Sequence, residues 1–545
     1  MKKKLLVVLL ATVVAIAFSF TGCGSKDKGG SSAADKEKTK AGGKTLIIKD
    51  GSWSGIDLFQ VSDWNDMQGL VADSILTKNP KTGKAMPGIA SKSVWSKDGK
   101  TWTLTFPKGM KYSTGKELEP EDFVASVKYG LKVSPYKDGY SNIKNMEIKG
   151  RKVIVHFKKF HADTEFNFMT CFTGIIDKDE IDSMTKDDML WGCHPYGAYY
   201  VDKYEPGAYV ILKANPGYKT NNPKVKNKGV CPIKRIKIVF SGEDFTLAKG
   251  VQNGDYDVLS TVPANYYKEL KKSDKVTVKE AAGAQVYYAE LNTTKGALKD
   301  AKVREAIIRA IDRETMVKHL NSYEKPAYSL ILDKCLNYDS SVPSWYKAKY
   351  GYNKDAALKL LKEAGYKKNK DGIMEKNGKT LSFTFDDRDD TVAKRVGQSI
   401  QKDLKAIGIE MKISTQEWSY VNQDVVDGNF DMAYLGLGWS EPFLLMDNFC
   451  MRQEKEKDMV SNLDPKGQKA LIQKARETVD YEARTPIITQ LQKKLFDYKT
   501  IIPLLDENNY RCWRSEIKGV VWATNGDFYL NDVKTDKDGN FRNVK

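Results

Sequence analysis

Four histidines, seven cysteines and one dense run of aspartates are the side chains of this 545-residue chain with the widest scope for chemistry. His156, His161, His194 and His319 form no His-Glu-x-x-His pair, and none joins a cysteine spacing that would hold zinc. His156 and His161 are expected on a strand and on the turn after it. No Gly-x-Ser-x-Gly elbow is present to set up a serine nucleophile. Three Gly-Lys-Thr triplets (Gly43 to Thr45, Gly99 to Thr101, Gly378 to Thr380) lack the earlier glycine that lets backbone amides wrap a phosphate. Lys38, Val94 and Ile373 stand there instead. Asp98-Gly99 and Asn377-Gly378 predict tight turns entering strands. Asp386, Asp387, Asp389 and Asp390 follow a strand pattern, and Arg388 in their midst predicts a solvated loop rather than a metal site. No catalytic residue, metal ligand or cofactor is expected. The aromatics point elsewhere: 28 tyrosines and 10 tryptophans fit a protein with a large aromatic-lined cavity.

Cys23 has a context of its own. Met1 and three lysines precede an apolar run from Leu5 to Phe20, too short for a membrane span of ~20 residues and suited to a signal-peptide core. Phe20-Thr21-Gly22-Cys23 resembles the bacterial lipobox, although Phe20 stands where leucine is usual. The resemblance implies a signal peptide over 1–22, cleaved before a Cys23 that receives diacylglycerol. Residues 23–43 hold no large apolar side chain and predict a flexible tether. No second long apolar run follows, so the body is expected outside the cytoplasmic membrane, on the cell surface or in the periplasm. It is held there by a lipid worth ~0.8 kcal/mol per buried methylene. Cys171, Cys193, Cys231, Cys335, Cys450 and Cys512 remain, with no Cys-x-x-Cys spacing. Disulfides and buried free thiols stay equally open.

The elements that position these residues alternate between two periods. Trp102, Leu104 and Phe106 alternate with polar neighbours as a half-buried strand does. Val153 to Phe157, Ile236 to Phe240, Val286 to Leu291 and Leu381 to Phe385 read the same way. Val303, Ile307, Ala310 and Ile311 form one helical stripe behind an Asp300 cap. Ala357, Leu360, Leu361 and Ala364 form another between Asn353 and Gly365. Lys469 to Thr478 and Pro486 to Phe496 also predict helices. The class is α/β without strict βαβ repetition.

The formal net charge is +17, and loss of Lys2, Lys3 and Lys4 with the leader leaves +14. The lysines are scattered, with no basic heptad helix, zinc-finger spacing or stacking signature, so a solvated surface is expected rather than a nucleic-acid groove.

Ordered fragments run through nearly the whole body: Pro87-Gly88-Ile89-Ala90, Trp95-Ser96-Lys97-Asp98-Gly99, Trp102 to Phe106, Asp122-Phe123 and Pro195-Tyr196-Gly197. Asn215-Pro216-Gly217-Tyr218, Gly254 to Asp257, Val303 to Ile307, Leu360 to Tyr366 and Gly428 to Met432 follow, ending at Gly438-Trp439. In this the chain resembles the solute-binding proteins of peptide and nickel ATP-driven importers, the oligopeptide-binding family. The resemblance implies a periplasmic-binding-protein-like class II fold, with two hinged α/β lobes and an extra small domain. Lobe I maps to 44–73, 192–283 and 500–545, the extra domain to 74–191 and lobe II to 284–499. It implies a monomeric receptor that encloses a peptide between its lobes and delivers it to an ABC transporter permease pair. A nickel chelate, a sugar or an opine-like compound is the alternative solute, and a signalling or adhesion receptor the alternative role.

Peptide members hold the ligand as an added strand and meet its amino terminus with a carboxylate. The matching stretch is Gly438-Trp439-Ser440-Glu441-Pro442. The family usually has Asp where Pro442 stands, which leaves Glu441 as the substitute. The resemblance further places Trp418 in a side-chain pocket, Tyr136 and Tyr140 on the extra domain's cleft side, Asp63 and Trp64 at the first crossing toward the ligand, and Tyr288 by the hinge. Arg304 and Asp312 are expected as a helix-surface charge and a capping charge.

Overall fold

Two large sheets carry the body of the chain. They are seen in a computed structural model that describes residues 44–61, 66–79, 83–240, 242–281, 285–320, 324–438, 441–443, 445–446, 465–522, 528–542 and 544. Gly43–Lys545 forms one unit and Met1–Gly42 another. The latter, with Cys23, lies outside the described residues.

The first sheet has seven strands in the spatial order Val276–Ala281, Asn509–Arg514, Val258–Leu259, Thr45–Asp50, Arg235–Phe240, Tyr209–Ala214 and Tyr199–Glu205. The second has six: Lys325–Pro326, Ile501–Asp506, Gln285–Leu291, Met432–Gly438, Ser382–Arg388 and Glu410–Gln416. A four-stranded antiparallel sheet (Lys92–Trp95, Thr101–Thr105, Lys152–Phe157, Ile143–Lys149) lies between strands one and two of the first sheet's chain order. Its alternation is as expected, with Trp102 and Leu104 fully buried. His156 lies on its strand, and His161 begins the next helix, Ala162–Asn167. One continuous apolar cluster joins this sheet to the first large one, running from Leu46 and Ile48 to Trp102 and Phe123.

The second sheet owes its parallel part to two crossovers. Ser382–Arg388 pairs in parallel with both Glu410–Gln416 and Met432–Gly438. Helix Thr391–Ala406 makes the first crossover, capped by the Asp390 side chain on the Ala393 amide and burying Ala393, Val396, Ile400 and Leu404 along one stripe. Helix Trp418–Asp427 makes the second, capped by Glu417. Parallel strands buried on both faces leave their C-terminal ends as the open edge, where ligands of α/β proteins bind.

The chain passes between the two large sheets after Ala281 and again after Asp506. The crossings run side by side, the Glu507 amide donating to the Gln285 carbonyl at 2.9 Å. The extra sheet's flank also touches the second lobe directly. Arg476 Nε donates to Asp163 Oδ2 at 3.0 Å, and Phe160 and Ala162 join the second sheet's apolar cluster.

Several expectations need correction. Ile501–Asp506, expected in the first lobe, pairs with Gln285–Leu291 in the second sheet. Its first five residues are buried on both faces, and only a central position covers such a strand. The helix expected from Pro486 starts at Tyr481, with Asp480 as cap and Pro486 inside it. The aspartate run is not a solvated loop throughout: Asp386 and Asp387 are buried at the end of their strand, and Asp390 is a cap. Arg304 is no surface charge. It is 5% exposed and donates to the carbonyls of Leu298, Lys299, Tyr498 and Lys499. Asp312 does cap, accepting from Thr315 N.

Cys193, Cys231 and Cys512 are buried free thiols, while Cys450 lies outside the described residues. Burial pushes the Cys231, Cys335 and Cys512 thiols up to about 12. No helix among the described residues is long and apolar enough to cross a membrane.

Candidate functional site

The C-terminal end of strand Ser382–Arg388 delivers Arg388 to the open edge of the second sheet, beside both crossings. Its guanidinium carbon lies 5.1 Å from the ring centre of Tyr287, 5.3 Å from Trp418 and 5.5 Å from Tyr434. Trp418 opens the second crossover helix, and Tyr287 and Tyr434 come from neighbouring strands, their rings stacked at 5.6 Å. Gly436 sits opposite Tyr287, and a Cβ there would come within 2.7 Å of the tyrosine ring. The glycine therefore leaves the ring its place on the strand. A planar cation over aromatic faces is held by their quadrupoles, by about 2 kcal/mol or more when desolvated.

Arg388 is partly committed: Nη2 pairs with Asp390 Oδ2 at 2.8 Å, and the guanidinium also hydrogen-bonds the Tyr287 side chain. The Nε–H is buried without a partner. A buried donor left unsatisfied is costly unless something else receives it, and the group that matches a guanidinium best is a carboxylate. The Tyr434 hydroxyl is likewise buried without a partner.

Beside this cation stands a carboxylate. Tyr287 Oη donates to Glu507 Oε1 at 3.2 Å, and Glu507 lies in the second crossing. Burial pushes the Glu507 carboxyl up to about 7. The Tyr287 hydrogen bond and the Arg388 charge pull it down, while Glu324 and Asp506 push it up. Asp506 itself is raised to about 6, again mainly by burial. The arrangement presents a cation, a carboxylate and two phenols around an aromatic floor. That suits binding of a polar molecule with charged ends. Among the described residues no cluster of His, Cys, Asp and Glu is suited to a metal ion.

The residues expected at the site fare unevenly. Trp418 is there, 37% exposed and against Arg388. Gly438 closes its strand opposite Gln285. Glu441 is 3% exposed rather than a surface carboxylate, and its Oε2 accepts the Phe443 amide at 2.6 Å. Tyr288 is buried in the apolar core of the second lobe, and its neighbour Tyr287 takes the place by the hinge. Strand alternation sends adjacent residues to opposite faces, so an error of one residue moves the side chain through the sheet. Tyr140 is 4% exposed and packs against Phe168 in the extra domain's core, whereas Tyr136 is 39% exposed. Asp63, Trp64, Trp439 and Ser440 lie outside the described residues.

Sequence reasoning missed Arg388, Tyr287, Tyr434 and Glu507. A signal for Arg388 existed: an arginine closing a strand, two residues before a helix cap, sits where parallel strands present their ligand groups. Glu507 had none, because only the sheet pairing shows that it lies in a crossing.

The sequence pattern of bacterial extracellular solute-binding proteins, family 5 Middle, matches residues 84–458. The oligopeptide-binding protein AppA of Bacillus subtilis is 24% identical over 549 residues, covering 97% of this chain and 98% of its own. The structure of AppA from Bacillus subtilis in complex with a nonapeptide superposes with a TM-score of 0.71 at 22% identity, covering 90% of this chain and 99% of that one. NikA from Brucella suis, in complex with Fe(III)-EDTA, superposes with a TM-score of 0.77 at 20% identity, with 90% and 99% coverage. At such identities the structural likeness establishes the shared two-lobed fold.

Proposed function

The chain belongs to the bacterial extracellular solute-binding proteins of family 5, and from that premise we propose that it captures peptides outside the cytoplasm and hands them to an ABC importer. The family consists of binding proteins, not enzymes. The observation that carries the peptide reading is Arg388: a cation on three aromatic rings with a buried, unpartnered Nε–H at the strand ends. The carboxyl terminus of a peptide supplies the missing acceptor.

In this reading the clamp closes as the two crossings flex. Lobe I comprises 44–73, 192–283 and 509–545, the extra domain 74–191, and lobe II the segment between. Trp418 lines the cleft beside Arg388. The leader pattern supports cleavage before Cys23, a lipid on Cys23 and a tether over 24–43. The protein works as a monomer.

Native mass spectrometry of the purified full-length protein tests this, alongside thermal shifts with short peptides. Ligand at a hundredfold excess over Kd raises stability by about 2.7 kcal/mol. Co-purified peptides, or a shift with added ones, support the reading. A metal chelate rich in carboxylates presents the same acceptors to Arg388. Recovery of a chelate and no peptide replaces the first reading with that one.

A further inference from the structure

We propose that Glu507 receives the ammonium group of a peptide ligand whose carboxylate is taken by Arg388. The inference rests on the peptide reading above and adds to it the amine partner.

Glu441, the carboxylate nearest the end of the Met432–Gly438 strand, is 3% exposed and its Oε2 accepts the Phe443 amide at 2.6 Å. Turning it toward a ligand would strip that amide of its acceptor inside the protein, at a cost of about 1–3 kcal/mol.

Glu507 has the opposite character. It is half-buried at the open edge, and its one side-chain hydrogen bond among the described residues is the 3.2 Å contact from Tyr287 Oη. It makes no ion pair among the described residues. The groups that act on it most are Tyr287, Glu324, Arg388 and Asp506, and Lys334 and Lys325 face the adjoining Asp506. Arg388 is already paired with Asp390, and the two other acids make the surroundings more negative. A half-buried carboxylate among acids is stabilised by an arriving cation.

Arg388 lies 5.1 Å from the Tyr287 ring centre and Glu507 lies 3.2 Å from its hydroxyl, so a carboxylate and a cation border the same tyrosine. The buried, unpartnered Arg388 Nε–H and Tyr434 hydroxyl give the carboxylate end independent donors. Burial has pushed the Glu507 carboxyl up to about 7. An ammonium group bound against it lowers that value, so binding at neutral pH releases a proton.

Calorimetry on the full-length protein tests this with dialanine, trialanine, pentaalanine and the N-acetylated forms of the first two, in two buffers of different ionisation enthalpy. Parent, Glu507→Gln and Glu441→Gln are compared. The expected result is peptide binding with proton release at pH 7. N-acetylation and Glu507→Gln each weaken binding about tenfold or more. The two losses do not add, and proton release disappears in Glu507→Gln. Unchanged affinity in Glu507→Gln with loss in Glu441→Gln overturns the assignment and leaves the peptide reading standing. Failure of every peptide to bind the parent overturns both readings together.

Discussion

Replacing Arg388 with methionine keeps most of the side chain's volume and removes its charge. Three rings lose a cation, Asp390 loses the partner of its 2.8 Å pair, and the ligand loses the buried Nε–H donor. The first loss is offset because a half-buried guanidinium no longer has to be desolvated. The second is small, since the Asp390 side chain is 40% exposed and such pairs contribute about 0–1 kcal/mol. Stability in urea is therefore expected to change by about 1 kcal/mol or less. The third falls wholly on binding. A hydrogen bond to a charged group contributes about 1.5–3 kcal/mol, and 1.4 kcal/mol is tenfold, so affinity for a free-carboxylate peptide should fall by about 10- to 150-fold. Calorimetry with trialanine and its C-terminal amide isolates the term. The parent should prefer the free acid, and Arg388→Met should bind both forms alike. A parent that does not distinguish acid from amide, or a variant that binds the acid as tightly as the parent, refutes the reasoning.

The Glu507 carboxyl stands at about 7 against an ordinary 4.5. The folded protein thus takes that proton before the unfolded chain does, and this group's contribution makes stability fall as pH rises from about 4.5 to about 7. Glu507→Gln should remove that part of the slope, so that melting curves of variant and parent diverge across this window in the variant's favour and run parallel above it. A constant offset from pH 4.5 to 8 would show the carboxyl titrates normally. Gly197→Ala would place a Cβ 2.3 Å from the Val71 carbonyl oxygen, a backbone atom that cannot rotate away. Unfolding in urea should show a loss of about 1–3 kcal/mol from overpacking. Arg304→Met removes the donors to four carbonyls and should cost about 2–3 kcal/mol in the same assay. A loss under 0.5 kcal/mol would mean water replaces it.

Local patterns in the sequence were sufficient for much of the fold. Trp102 and Leu104 alternate, Val303 and Ile307 recur at helical spacing, and Asp300 and Asn353 both cap as expected. Each depends on neighbours within a few residues, which is the range over which period and capping act. Pro486 misled because a proline suits a first helical turn, while here Asp480 nucleates the helix earlier and packing tolerates the proline inside it.

Family membership and the α/β class were legible from residue types in order. The site was not, except for Trp418. Tyr287 and Tyr288 are equally aromatic and adjacent, and only pairing with Leu435 and Gly436 decides which of them faces Arg388. Arg388 among four aspartates reads as a solvated charge until three strands and a helix bring Tyr287, Tyr434 and Trp418 around it. Glu507 gains its meaning from Ile501–Asp506 entering the second sheet and Asn509–Arg514 entering the first. Sequence determined the periods, caps and turns because those energies are local. Tertiary structure decided the binding groups because desolvation and charge pairing depend on residues up to 220 positions apart along the chain, as between Tyr287 and Glu507.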